Sequence, residues 1–233
     1  MKRTPMSLTL RVLAHLLSYP DAALRSHLDE MRDALRSERA LGASRLLEID
    51  ALIDRLRSPR TLETEANYVE LFDRGRGTAL HLFEHVHGDS RDRGPAMIDL
   101  IQTYEQAGLF LGDGELPDHL SVVLEYASTQ PPAQAAAFLR EIAHILQVIF
   151  SALLQRGSAY ASAVAAVLDL AGEKAQAVKL PEEPALDESW EEPPAFGGCS
   201  TQGQAAPGQP QPIQITKRPP APAAHNPLPG ARA

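Results

Sequence analysis

The chain has 233 residues, 44% of them apolar, with a net charge of −8 at pH 7 and a pI of about 5.5. Such an acidic chain has no surplus of Lys and Arg to neutralise phosphates, which excludes nucleic acid as a general partner. Its single cysteine, Cys199, excludes an internal disulfide and a cysteine-ligated zinc or iron–sulfur site within one chain, and it fits a reducing cytoplasm.

The first twenty residues share one feature with a secretory signal peptide, because Lys2 and Arg3 precede an apolar run. Arg11 and His15 interrupt that run, however, and no small-residue cleavage site follows it. The apolar residues fall instead at helical spacing, at Leu8, Val12, Leu13, Leu16 and Leu17. An amphipathic first helix is therefore expected, with a signal peptide as the less favoured alternative. No stretch approaches the ~20 apolar residues that cross a membrane.

Apolar residues continue at three- and four-residue spacing to about residue 172, and no segment alternates with the period of a strand. After the first helix, further helices are expected over 21–36, 44–57, 61–72, 78–86, 95–108, 119–128, 133–156 and 158–171. Thr61 and Asp118 are suited to cap two of them, Pro95 to lie in a first turn and Gly108 to end a helix. The predicted fold is all-α, a single-domain helical bundle of about nine helices.

The composition changes near Gly172, because twelve of the 19 prolines follow it. Residues 1–172 are expected to form the helical domain. Residues 173–233, rich in Pro, Ala and Gln, cannot bury enough apolar surface to offset the entropy of ordering, so a mostly disordered tail is expected there. The stretch near 186–199 contains Trp190 and Phe196, and is the one part of the tail expected to dock on the domain or on a partner.

Polar side chains are concentrated from His81 to Gly94, in the stretch HLFEHVHGDSRDRG. Its first five letters spell H-x-x-E-H, which on a helix would place His81, Glu84 and His85 on one face. Two imidazoles could then bind zinc, with the carboxylate as a general base, so a zinc hydrolase is one interpretation. No third ligand is marked, and the chain lacks a phosphate-binding glycine loop and a G-x-S-x-G motif. Neither a catalytic nor a metal site is therefore predicted.

Three segments carry a resemblance to a known family. Residues 68–109, YVELFDRGRGTALHLFEHVHGDSRDRGPAMIDLIQTYEQAGL, resemble the NarJ family, the cofactor-assembly chaperones of respiratory nitrate reductase that are also called its delta subunit. Residues 115–128, ELPDHLSVVLEYAS, resemble a signature of the wider superfamily that includes TorD and DmsD. The short DESWEEPPAFGGC, which ends at Cys199, resembles the C-terminal element of the same family.

The resemblance implies a helical protein of the cytoplasm that is not an enzyme and holds no cofactor of its own. It implies binding to the apo form of the catalytic (alpha) subunit of nitrate reductase, through the N-terminal peptide of that subunit. The client would be held until its iron–sulfur and molybdenum cofactors are in place and only then dock on the membrane, into which the chaperone does not insert. The alternative is a related chaperone that reads a twin-arginine signal on another molybdoenzyme.

A client-binding groove is expected from the helix face at His81, the loop 88–94 and the tripeptide 117–119. An apolar floor would accept one face of an amphipathic peptide helix. Glu84, Asp89, Asp92 and Asp118 would meet basic residues of the peptide, and the arginines would pin the loop or contact acidic groups. Histidines titrate near neutral pH, so affinity is expected to depend on pH. The predicted client-binding residues are Tyr68, Phe72, His81, Phe83, Glu84, His85, His87, Arg91, Arg93, Pro117, Asp118 and His119, although Tyr68 and Phe72 are also suited to the core.

Overall fold

The fold is seen in a computed structural model that describes residues 5–88 and 90–180. Those residues form eleven α-helices and one 3-10 turn, which confirms the all-α prediction. The predictions for 186–199 and for Asp89 fall outside the described residues. In chain order the helices are α1 (Ser7–Leu16), α2 (Ala22–Ser26), α3 (Leu28–Glu38), α4 (Ala43–Leu56), α5 (Thr61–Phe72), α6 (Leu82–Val86), α7 (Arg93–Gln106), α8 (Leu120–Thr129), α9 (Pro132–Glu141), α10 (Ala143–Gln155) and α11 (Ala161–Ala171), with the 3-10 turn at Arg76–Thr78.

Helix α11 is the centre of the core, because ten of its eleven residues are buried. Its sequence, ASAVAAVLDLA, is made mostly of small side chains, so neighbouring helices can approach it closely. Helices α1, α4, α9 and α10 all pack against it, and α8 packs against α1. Each Leu or Val buried in these contacts contributes about 1.5–3 kcal/mol relative to an exposed one. The stability of the domain is therefore concentrated in the packing of these helices around α11.

Two helices that were expected to be continuous are broken. The expected helix 21–36 divides at His27 into α2 and α3, and Asp21 caps α2 by accepting a hydrogen bond from the Leu24 N–H at 2.7 Å. The expected helix 133–156 divides at Ile142 into α9 and α10, which are bent by 67°. Neither break has a glycine or proline, and the apolar stripe continues through both. Nothing in the local pattern therefore marks them.

Two other local predictions have opposite outcomes. Thr61 is the first residue of α5 rather than its cap, since Arg60 holds that position and makes no side-chain capping hydrogen bond. Pro95 lies in the first turn of α7, and Gly108 follows the end of that helix with φ of 77°, as expected of a helix stop.

No single helix among the described residues is long and apolar enough to cross a membrane. The bent pair α9 and α10 meets the length and composition test only when both helices are counted together.

The described chain stays attached to the domain after residue 172, where the sequence places the end of the helical domain. Residues 173–180, here called the strap, form neither helix nor strand and are bound to α10 by side-chain hydrogen bonds. The Gln147 side chain donates to the Lys174 carbonyl at 2.6 Å and accepts from the Gln176 N–H at 2.9 Å. The Ser151 hydroxyl accepts from the Val178 N–H at 2.9 Å. Backbone hydrogen bonds to two polar side chains therefore bind a segment whose composition alone does not predict order.

Gly75, in the turn after α5, cannot be replaced without moving its neighbours. A Cβ there would stand 2.6 Å from the Leu71 carbonyl oxygen and 2.6 Å from a guanidinium nitrogen of Arg156, and it would also meet the Thr78 hydroxyl. We expect Gly75→Ala to lower the free energy of unfolding by about 2 kcal/mol, because overpacking against backbone forces a local shift. Urea denaturation measures this change.

The matched control for Gly75→Ala is Gly94→Ala in the first turn of α7, where a Cβ meets nothing within 4 Å. Alanine is the better helix former, so this variant should gain about 0.5–1 kcal/mol. If both variants changed the free energy of unfolding equally, the contacts of a Cβ at position 75 would not affect stability.

Candidate functional site

The two polar segments singled out in the sequence meet in space. His81 and His119 face each other across an isolated antiparallel bridge, and the Leu82 N–H donates to the Asp118 carbonyl at 3.0 Å. The two imidazole rings stand edge to face with centroids 5.0 Å apart. The bridge joins the start of α6 to the start of α8, so the structure brings the His81 segment and the tripeptide 117–119 together, as expected for one site.

Asp118 is the centre of this site and is 0% exposed. Its Oδ2 accepts a hydrogen bond from the Phe83 N–H at 3.1 Å, and its Oδ1 accepts one from His81 Nδ1 at 3.4 Å. An Arg93 guanidinium nitrogen lies 3.9 Å from Oδ2 and 3.8 Å from a Glu84 carboxylate oxygen. One buried carboxylate thus connects the loop before α8 to α6, and it lies within ion-pair distance of the first residue of α7.

The charges in this cluster stabilise one another. Burial alone would raise the pKa of Asp118, but hydrogen bonds from His81 and the Phe83 N–H, with the charges of His81 and Arg93, hold that pKa below its ordinary value. The hydrogen bond to Asp118 raises the pKa of His81 against the effect of burial, and the negative charges of Asp118 and Glu84 add to it. The favoured state is therefore an ionised Asp118 beside a readily protonated His81.

His119, and not Asp118, is the N-cap of α8, which corrects the capping prediction. Its Nδ1 accepts from the Ser121 N–H at 3.4 Å and from the Ser121 hydroxyl at 2.6 Å. Burial lowers the pKa of His119 to about 4, and repulsion from His81 adds to burial, against the attraction of Asp118. The two histidines of the bridge therefore have opposite preferences, with His81 favoured charged and His119 favoured neutral.

The alternative of a zinc site at H-x-x-E-H does not match the geometry of these residues. His81 precedes α6 in an extended conformation instead of lying on the helix, and its Nδ1 is bonded to Asp118. His85 Nε2 donates to the Ala79 carbonyl at 2.9 Å. Within 5–88 and 90–180, no group of three His, Cys, Asp or Glu side chains is arranged to hold a metal ion.

The remaining predicted residues divide between core and surface. Tyr68 and Phe72 are buried with ring centroids 4.7 Å apart, and the Tyr68 hydroxyl donates to the Leu17 carbonyl at 2.9 Å, so both belong to the core and not to a binding surface. Pro117 is also buried. Phe83 and His87 are half-buried and contact each other through their rings, whereas Arg91 is exposed.

Helix α7 is attached to the domain mainly at its two ends. At its start, Arg93 lies beside Glu84 and Asp118. Near its end, the Tyr104 hydroxyl donates to the Pro117 carbonyl at 2.8 Å, and Tyr104 is the only buried residue of the helix. Between these ends Met97, Ile98 and Ile101, here called the α7 face, are incompletely covered, and Ile98 is 56% exposed. Their periodicity predicts a core-facing stripe, so sequence reasoning missed this surface.

A cleft of about 370 Å³ opens at the C-terminal end of α7, between α1, α8 and the loop that follows α7. Tyr104 and Tyr126 form part of its wall, and Phe110 on the loop is 81% exposed. Glu115 and Glu125 line it together with Arg11 of α1, so two carboxylates face one guanidinium group in its lining. An apolar wall with acidic residues suits a ligand that is both apolar and basic. This cleft was also missed, since three separate segments of the chain form it.

Comparison with known proteins identifies the family. The family model described as nitrate reductase delta subunit matches residues 17–166. The chain belongs to the nitrate reductase delta subunit family. It is 42% identical over 193 residues to the nitrate reductase molybdenum cofactor assembly chaperone NarJ of Escherichia coli strain K12, covering 78% of this chain and 82% of NarJ.

Two further relatives extend this comparison. A segment of 125 residues, 52% of this chain, is 37% identical to part of the nitrate reductase-like protein NarX of Mycobacterium tuberculosis, where it covers 19% of the length. A crystal structure from Archaeoglobus fulgidus, of a protein described as a redox enzyme maturation protein, superposes with a TM-score of 0.51 at 18% identity and covers 72% of this chain and 94% of that one. This likeness shows the fold. The delta subunit family consists of assembly chaperones, so the chain is not an enzyme.

Proposed function

We propose that the chain is a dedicated chaperone of a respiratory nitrate reductase. It binds the apo catalytic subunit in the cytoplasm and supports insertion of molybdenum and iron–sulfur cofactors before the enzyme docks on the membrane. The observation that carries this proposal is the 42% identity to NarJ, which extends over 82% of that chaperone and includes the α6 to α8 region.

In this proposal, the N-terminal segment of the catalytic subunit binds on the α7 face and in the adjoining cleft. An amphipathic peptide helix would cover Met97, Ile98 and Ile101 with its apolar side, which is the interaction that an uncovered apolar helix face favours. Glu115 and Glu125 in the cleft would pair with Lys or Arg of the peptide. The α7 face replaces Tyr68 and Phe72, which are buried, as the apolar part of the binding surface.

The Asp118 cluster supports this surface from behind. Because Asp118 is fully buried, it cannot contact a peptide directly. It fixes Arg93 and therefore the start of α7 relative to α6. His81, Glu84 and Arg93 are only partly covered, so their outer edges are available to the client. The polar cluster therefore positions α7, and only its outer edge is accessible to the client.

Calorimetric titration with a synthetic peptide from the N-terminus of the cognate catalytic subunit tests the binding mode. We expect Ile98→Asp to weaken binding at least tenfold, about 1.4 kcal/mol or more, because it places a charge on the centre of the apolar contact. Leu62→Asp is the matched control, since Leu62 is 79% exposed on α5, and it should leave the affinity unchanged. Equal weakening in both variants would place the peptide elsewhere.

The twin-arginine alternative is tested with the same sample. A peptide that carries a twin-arginine signal from another molybdoenzyme is titrated beside the nitrate reductase peptide at the same pH. Preference for the nitrate reductase peptide supports the proposed client, and preference for the twin-arginine peptide would assign the chain to a different enzyme while leaving its fold and family unchanged.

A further inference from the structure

Another depression of the described surface is a groove between α1 and the neighbouring helices α2 and α3. It has a volume of about 490 Å³. Three buried apolar side chains, Val12, Leu24 and Met31, form its floor, and Tyr19 at its edge is 46% exposed. We call it the α1–α3 groove. It offers an apolar surface that the described chain itself leaves unfilled.

The charged groups that line the groove are acidic. Among its described lining residues, Asp21 and Glu30 are carboxylates and none is a Lys or Arg. Asp21 uses one carboxylate oxygen to cap α2, and the Glu30 side chain, 3.0 Å from His27, is 79% exposed. The nearby Arg25 pairs with Glu65 at 2.9 Å and does not line the groove. An apolar floor with negative charge beside it suits a ligand that is both apolar and basic.

The groove adjoins the cleft at the C-terminal end of α7, here called the α7 cleft. His15, an exposed residue of α1, lines both. Helix α1 packs against α8, which borders the α7 cleft, and against α3, which borders the groove. A helix with its side chains is about 10 Å across, and a peptide helix covers that distance with about seven residues. One peptide that crosses α1 at His15 can therefore contact both.

We propose that the α1–α3 groove binds the part of the client segment that extends beyond the α7 cleft. This part presents apolar side chains to the floor of the groove and Lys or Arg to Asp21 and Glu30. The inference rests on the proposed client and adds a second contact surface to it. Two contacts on one peptide bind more tightly than either alone, because the second forms within the complex. A second copy of this chain is disfavoured as the occupant, since its net charge of −8 would face the two carboxylates.

Calorimetric titration of the full chain with two peptides tests the proposal. Both peptides begin at the N-terminus of the cognate catalytic subunit, and one is longer by about ten residues, enough to cross α1 as a helix. We expect the longer peptide to bind roughly tenfold more tightly. Ala23→Arg places a bulky cation in the groove from an exposed position on α2. This variant should lose the gain from the longer peptide and bind the shorter one as the parent chain does.

The matched control is Ala22→Arg, since Ala22 is the neighbouring exposed residue of α2 and does not line the groove. It should bind both peptides with the affinities of the parent chain. Charge is tested in the same way on α3. Glu30→Lys should weaken the longer peptide alone, whereas Asp33→Lys, an exposed carboxylate position outside the groove, should weaken neither.

The possible failures of the groove and of the client give different results. Equal affinities of the two peptides, or a gain that survives Ala23→Arg, would overturn the groove proposal and leave the α7 face as the binding site. If neither peptide bound the parent chain, the proposed client would be wrong, and the groove proposal with it. If light scattering showed a dimer that Ala23→Arg dissociates while both peptide affinities stay the same, the groove would belong to a second copy and the proposal would be overturned.

Discussion

Replacing Asp118 with alanine is expected to lower the free energy of unfolding by about 3 kcal/mol, because it leaves buried partners without their acceptor. The Phe83 N–H loses its hydrogen bond, and His81 and Arg93 lose the carboxylate that faces them. Asp118→Asn keeps an acceptor oxygen but not the charge, so an intermediate loss is expected. Urea denaturation near neutral pH measures all of these changes.

The control for Asp118→Ala is Asp99→Ala, since Asp99 is an exposed carboxylate on α7. That variant should stay within about 0.5 kcal/mol of the parent chain. The pKa of Asp118 is lowered in the folded chain, so its contribution is present above the ordinary value for an aspartate and is lost as the pH falls through the lowered value. The gap between parent and variant should therefore narrow in acid. A full-sized gap that persists below the lowered pKa would contradict the electrostatic explanation.

Replacing His119 with asparagine is expected to remove a large part of the acid sensitivity of the domain. The pKa of His119 is about 4 in the folded chain and about 6.5 in the unfolded chain. His119 is neutral in both the folded and the unfolded chain at higher pH, so it does not lower the free energy of unfolding there. As the pH falls from 6.5 to 4, the unfolded state takes up a proton that the folded state does not, which lowers the free energy of unfolding by up to about 3 kcal/mol. Asparagine takes up no proton and still caps α8.

Urea denaturation at several pH values between about 7 and about 4 measures the difference for His119→Asn. His144→Asn on α10 is the control, because it removes an exposed histidine, and its stability should run parallel to that of the parent chain. His81 acts in the opposite direction: its pKa is raised, so its stabilisation is present below its ordinary value and is lost as the pH rises through the raised value. If the His119→Asn variant lost as much stability in acid as the parent chain, protonation of His119 would not disfavour the folded state, and the prediction would be wrong.

The sequence was informative about which helices exist and much less so about where they end. The positions of α1, α4, α5, α8 and α11 follow from their apolar spacing, but the breaks at His27 and Ile142 do not. Leu24, Leu28 and Met31 remain on one stripe across the first break, because a short interruption leaves the three- and four-residue spacing intact. Such a break is determined by packing against neighbouring helices.

The polar site was partly predictable. The resemblance placed the His81 segment and the tripeptide 117–119 in one groove, and the structure brings them into contact. It could not reveal that Asp118 is buried and that His119 caps α8, since both depend on a bridge between residues far apart in the chain. The exposure of Ile98 was unpredictable for a related reason. Apolar spacing defines a face of a helix, but it does not say which neighbour covers that face.

Because α7 is attached at its ends, the residues that keep the domain folded differ from the residues that its exposed face offers to a partner. About half of the buried apolar residues lie in α1, α8, α10 and α11, whereas Met97, Ile98 and Ile101 contribute little to the core. Substitutions on the α7 face can therefore accumulate at small cost to folding, provided that Arg93 and Tyr104 are retained at the two ends. A surface of this kind is free to diverge together with whatever it contacts, while the scaffold that presents it stays the same.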